Sequence, residues 1–456
     1  MEKLENKARL KPETTSSPLQ WAKFTTLEHY TRLGLDALKE GGADQARCVA
    51  TRRVTREISA EAGEFSLYRT LFDDSVSYMA IDCDGRRGTL SQNSVDEDDI
   101  RAGAATCLAS AQAASPDKDW QLAPALPIQT FESGPHACDE SKLFHRSQEL
   151  LAMIRDRFPT IMVESLTATH VSSESCANYS TGSRFFTRES LYGISILFSA
   201  HEGTKTSSFF GSGVQTYTLD RPFIEMGSLE ADLIMVSEQI DTQPMDRAFE
   251  GTVLMVPDCF GDLLHTVIGT FASDSVLIEN TSLWKDKLGE AVASPVLNIR
   301  IAPSHPDIVA GERFSAEGYL SEDFTFIENG ILKQFCLSDY ASRKTGLSRA
   351  PNQSTSFVVQ GGDASVESII SSIERGILIG RVSGGQPSTN GDFSAVAKNA
   401  FLIEKGKIAH ALNETMINGN LAELLLNVRA LSSDIVKDGG SVLPWVAFDN
   451  VLISGK

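Results

Sequence analysis

The chain is expected to fold as an α+β protein, with an N-terminal helix and antiparallel-sheet region followed by a β-rich, barrel-like C-terminal domain. Three observations predict this. Helix, strands and helix follow one another before residue 116, a unit of α+β type. Beyond residue 245 the chain breaks into short strand-like runs separated by turn signals. One strongly amphipathic helix, Asp258 to Phe271, is inserted near the start of that β-rich part.

The elements follow in order. Residues 1–22 are polar, with Pro12 and Pro18, and read as a mobile tail. Thr25 or Thr26 opens a helix whose apolar positions include Leu27, Tyr30, Leu33, Leu35 and Leu38, and Gly41-Gly42 ends it. Strands are expected over 45–55, 57–68 and 75–82, followed by a turn over 82–88. Residues 96–114 form an alanine-rich helix with an acidic start suited to a helix N-terminus. Together these make an N-terminal α/β domain, 23–116. Residues 117–134, with Pro124 and Pro127, read as a connection. A central α/β domain, 135–240, is expected to hold a helix over 139–157 with Leu143, Leu150, Leu151 and Ile154 inward. It continues with strands over 161–172, 174–179, 184–199 and 205–218, and a helix over 219–240. In the C-terminal domain, 245–456, strands are expected over 251–256, 296–301, 322–328, 330–336, 376–382, 395–404 and 446–452. Asn329-Gly330 and Lys405-Gly406 are hairpin signals.

Composition excludes some functions. The 456 residues carry 41 Lys+Arg against 60 Asp+Glu, a net charge of −19, which repels polyanions, so no nucleic-acid partner is expected. Seven cysteines without a CxxC pair fit a reducing compartment rather than a disulfide framework. No apolar run reaches the length of a membrane span, and the first twenty residues lack a signal-like apolar region. A soluble, cytoplasmic protein without a membrane partner is expected.

The helix over 258–271 looks like an active-site helix without its chemistry. Leu263, Leu264, Val267, Ile268 and Phe271 form one buried stripe, and Asp258 stands where an N-cap would. A catalytic zinc takes three ligands, and its protease chemistry needs a general base. Here His265 stands alone, followed by Thr266, whose hydroxyl is too weak a base. Cys259 and His265 fall on nearly opposed faces of the helix, so they form no catalytic pair. His170, His201-Glu202 and the acidic clusters at 73–74 and 96–99 read as core or surface groups. The glycine-rich run 380–387 lacks the lysine of a phosphate loop.

Several segments together resemble the TldD/PmbA family, historically called modulators of DNA gyrase. They are 251–269, 282–289, Glu317-Gly318, 327–333, 339–346, Gly391-Asp392-Phe393-Ser394, 403–408 and 418–421, with looser likeness at 37–43 and 178–182. The resemblance implies a two-subunit system. TldD-type chains carry HExxxH and a cysteine ligand, and TldE/PmbA-type chains of similar fold pair with them. In this chain the motif falls on His265 to Thr270, with Thr266 at the glutamate position and Thr270 at the second histidine. The cysteine position falls near Ile435, and no cysteine follows Cys336. The resemblance therefore implies a TldE/PmbA-type subunit with no metal and no catalytic residue of its own. Zinc is expected in a TldD-type catalytic partner, and an unfolded peptide is the expected substrate. Gly384, Gly385, Gly391, Asp392 and Phe393 are the cavity candidates, with glycine packing against strands as the plain alternative for the loop. Two rival functions stand beside this one. One is an autonomous metallopeptidase rebuilt around His265 with His410, Asp262 or Glu414. The other is a non-enzymatic protein modulating gyrase or another partner. A homodimer of the isolated chain is a further possibility.

Overall fold

The computed structural model describes residues 25–413 and 415–455. The expected tail, 1–22, lies outside the described residues. Helix makes up 24% and strand 41%, in two sheets.

The N-terminal sheet is mostly antiparallel. Helix α1 (Thr25–Glu40) leads into a long hairpin of β1 (Gln45–Glu61) and β2 (Glu64–Ile81). Ala62 and Gly63 join the two strands with φ of 49° and 77°, a turn that matches strand twist. The expected break near Arg56 is absent, so three expected strands are two. Cross-strand pairs such as Arg69 with Glu57 (3.0 Å) and Arg52 with Asp74 (3.1 Å) let the polar middle of the hairpin stay extended in solvent. β3 (Arg87–Gln92) extends the sheet, and α2 (Glu97–Ala113) follows, with the Asp96 carboxylate accepting from the Asp98 N–H as N-cap. Helices α1 and α2 cover one face of the sheet around Leu38, Cys48, Tyr78 and Ile100.

Residues expected as a connection contain a strand, β4 (Gln129–Ser133), parallel to β6. Helix α3 (Glu140–Arg157) is capped by Asp139. β5 (Ile161–Tyr179) and β6 (Arg184–Glu202) each run 19 residues, so the expected break at Ser173 is also absent. Ser173 lies between Arg53 of β1 and Glu189 of β6, and pairing on both sides holds it extended. β7 (Phe210–Thr216) lies beyond β6. The helix expected over 219–240 is only α4 (Leu229–Ser237), after a single 3₁₀ turn at Phe223–Glu225. Pro222 and a left-handed Gly227 (φ 58°) stop helical winding before residue 229.

The C-terminal part contains a closed five-stranded barrel. Its ring is β8 (Phe249–Met255), β9 (Arg375–Ser383), β10 (Asp392–Glu404), β11 (Thr415–Asn420) and β12 (Val442–Ser454), each hydrogen-bonded to the next and β12 back to β8. β8 and β9 are parallel and the other pairs antiparallel. One mouth therefore collects the C-terminal ends of β8, β9 and β11 with the N-terminal ends of β10 and β12. Closure leaves these strands no free edge. Both hairpin signals are turns here, with Asn329 and Gly330 at φ 49° and 76°, and Lys405 and Gly406 at 50° and 74°. The strand expected over 330–336 shrinks to Ile331–Leu332. Strands at Thr415–Asn420 and Val428–Lys437 were not expected.

No helix among the described residues is long and apolar enough to cross a membrane.

Candidate functional site

At the barrel mouth, Met255 ends β8 and the chain turns at once into α5 (Pro257–Val267). Pro257 opens the helix, because a missing N–H costs nothing in the first turn. Val256, not Asp258, occupies the N-cap position, and no side chain caps the helix. Asp258 lies inside the first turn, where burial pushes its carboxyl up to about 6, with Asp438 and Asp262 adding to the rise. Cys259, Phe260, Leu264 and Val267 are buried, with Phe260 6.2 Å from Phe448 of β12. Burial holds the Cys259 thiol far above its ordinary value, which leaves it inert.

The helix does not simply stop. Residues Ile268–Ala272 continue as a π-helical turn, and Phe271 is buried against Trp284, ring centroids 4.9 Å apart. Five residues of α-helix would carry Thr270 about 140° around from His265. The wider turn brings it back, and both residues line one cavity of about 510 Å³. A second cavity of about 470 Å³ shares His265, Thr266, Gln386 and Pro387 with the first, so the two form one groove along α5. Its apolar wall comes from Met255, Val382, Phe393, Ile417, Leu421 and Leu424. These residues sit where β8, β9, β10 and β11 meet the mouth.

His265 is exposed in the groove, with its ring edge-on to Phe357 at 5.0 Å. Thr266 donates its hydroxyl to the Asp262 carbonyl at 2.9 Å. Gly384 and Gly385, both at φ 71°, carry the loop from β9 over the groove, and Phe393 faces it from β10. The structure does not bring the other candidates in. Asp392 is exposed, and its carboxylate braces the loop by accepting from the side-chain amides of Asn390 and Asn420 at 2.8 and 2.9 Å. These bonds, Asn420 first, hold its carboxyl below the ordinary value. Gly391 packs against Asn420 and Phe271. Ile435 lies on the strand Val428–Lys437 opposite Pro444, outside both cavity linings.

Gln386 and Pro387 belong to the 380–387 loop expected to wall the cavity, whereas sequence reasoning missed Leu421 and Leu424. The last two lie on a short helix (Leu421–Leu426) capped by Asn420, and the run of leucines after that asparagine was the available signal. His170 is buried 4.8 Å from Tyr192, and His201 bonds Ser199. All seven cysteines are free.

The donor set does not fit a catalytic zinc. Thr266 and Thr270 offer neutral hydroxyls, one of them already engaged, and Ile435 is a hydrocarbon. His410 lies on the strand Lys407–Asn413, outside the groove, and Glu414 lies outside the described residues. Among the described residues no group of three or more His, Cys, Asp or Glu side chains could hold a metal ion.

Residues 250–455 match the PmbA/TldA metallopeptidase C-terminal domain. A metalloprotease of Methanocaldococcus jannaschii is 27% identical over 209 residues, 42% of this chain and 46% of that protein. Metalloprotease PmbA of Escherichia coli O157:H7 is 28% identical over 190 residues, 40% of this chain and 42% of that protein. The chain thus spans about half the length of the curated relatives it matches. The crystal structure of TldE from Thermococcus kodakarensis superposes with a TM-score of 0.80 at 21% identity, over 94% of this chain and 100% of that one.

Proposed function

This chain belongs to the PmbA/TldD family, and we propose that it acts there as a TldE/PmbA-type subunit of a zinc metallopeptidase complex, without zinc of its own. The carrying observation is the groove along α5, two joined cavities lined by His265, Thr266 and Thr270, with a hydrocarbon, Ile435, at the expected cysteine position outside it. In this reading a TldD-type homologue supplies metal and base. This chain contributes a wall that holds an unfolded peptide extended, through backbone hydrogen bonds and apolar contacts.

The test is co-expression with a TldD-type chain. Zinc content and peptide cleavage are then measured for each chain alone and for both together. The expected result is zinc and activity in the catalytic chain, activity enhanced at least tenfold by this chain, and co-elution of the two. Stoichiometric zinc and cleavage by this chain alone would overturn the proposal, as would a failure to co-elute.

A further inference from the structure

Asp262 is the one carboxylate lining the groove, and no hydrogen bond or ion pair among the described residues ends on it. It is exposed to the groove at the rim of a cavity of about 470 Å³ whose remaining wall is chiefly apolar: Met255, Val382, Phe393, Ile417, Leu421 and Leu424. From this geometry we infer that the cavity selects a basic side chain, lysine or arginine, of the bound peptide. This inference rests on reading the groove as a peptide site.

The physical case has three parts. An aliphatic stem ending in a cation suits a hydrocarbon wall with a single anion at its rim, since such side chains bury the stem and keep the charge at a polar edge. A peptide lying over the groove would also strip water from Asp262. A neutral residue at that point would leave the carboxylate without a partner, whereas a lysine ammonium or an arginine guanidinium supplies charge-assisted hydrogen bonds. The surrounding field has the same sign. Asp258 and Asp438 interact electrostatically with one another, and Asp258 with Asp262. His265 and Arg381 are the basic side chains within reach of Asp262, and neither forms an ion pair with it. The peptide's own α-amine has the same chemistry as a lysine side chain, so the test separates them.

The experiment uses the full chain and fluorescein-labelled unstructured peptides of alanine and serine with one variable residue. An N-acetylated peptide with lysine is compared with N-acetylated norleucine and glutamate versions, and with a norleucine version whose α-amine is free. Binding is read by fluorescence anisotropy. The expected order is lysine over norleucine by about fivefold, the range of a partly exposed ion pair, with glutamate weakest. In Asp262→Asn lysine and norleucine bind alike, and Asp262→Glu restores the lysine preference. Equal binding of lysine and norleucine, or a preference that survives Asp262→Asn, overturns the inference and leaves the peptide-groove reading standing. A gain confined to the free α-amine peptide also overturns it, and assigns the carboxylate to the peptide terminus. No binding of any peptide overturns both readings.

Discussion

Gly384 and Gly385 share one backbone conformation, φ 71°, yet their surroundings differ sharply. A Cβ on Gly384 would meet nothing within 4 Å. A Cβ on Gly385 would lie 2.5 Å from Ala395 Cβ and 2.6 Å from the Ser394 carbonyl oxygen. Gly384→Ala is therefore expected to cost only the left-handed backbone penalty, about 1 kcal/mol. Gly385→Ala adds a clash with the start of β10 and is expected to cost about 3 kcal/mol. Urea denaturation of both variants checks this, and equal losses would show that packing against β10 is not what fixes Gly385. The sequence offered both glycines as wall or packing residues; both line the groove, and of the two Gly385 alone packs against β10. The same reasoning put Asp392 in the cavity. A side chain two residues from an asparagine cannot be aimed from sequence, since local amides can capture it, as Asn390 and Asn420 do.

Among the elements, α4 and α5 meet through acid. Asp232 of α4 is buried, and its carboxylate accepts from Ser212 at 2.6 Å and Ser228 at 2.7 Å. Burial pushes its carboxyl up to about 7, with the charge of Asp258 adding to the rise. Asp258 stands raised to about 6. Both values lie above the ordinary 3.8, so the folded chain holds protons that the unfolded chain has released. The pair's contribution to stability is complete below about pH 4 and is lost as pH rises through 6 and 7. Asp232→Asn is expected to stabilise the chain at pH 8 by on the order of 1–2 kcal/mol, with little change at pH 5. Thermal melts across that range check it, and an Asn variant less stable at pH 8 than the parent would contradict it. The sequence located α5 and its buried stripe but not this pair, because the contact joins residues from two helices and a strand far apart in the chain. Nor could it show the π turn. A period of 3.6 fits residues 258–268, and only the packing of Phe271 against Trp284 shows that the winding widens.

Across the whole molecule, the segment expected as a connection is a strap pinned on one side to the N-terminal sheet and on the other to the helix Asp339–Thr345 and the turn at Glu317. Trp120 stacks on Tyr340 at 3.7 Å, with the Arg87 guanidinium 4.0 Å from its ring. The Tyr340 hydroxyl donates to Asp117 at 2.9 Å. Lys344 reaches Asp117 at 2.9 Å and Asp119 at 3.1 Å. The backbone N–H of Ala123 donates to the Glu317 carbonyl. Trp120→Ala removes the centre of this stack and is expected to cost about 3 kcal/mol. Limited proteolysis should then cut between residues 114 and 128 before it cuts either sheet. An intact strap in the variant would show that the carboxylate–lysine contacts alone suffice. Prolines and turn residues made this stretch look loose, and the partners that tighten it lie some two hundred residues away.

The sequence by itself determined the α+β class, the order of the main helices, the two hairpin turns and which side chains stand along α5, His265, Thr266 and Thr270 among them. These are local matters of periodicity, left-handed turn chemistry and residue identity. Tertiary structure alone decided that three expected strands become the two of one long hairpin, that two more fuse into β5, that five strands close into a barrel, and that Asp262 rather than Asp392 faces the groove. Each of these depends on pairing or packing between distant segments, and the free energy of such contacts is written in no single stretch of the chain.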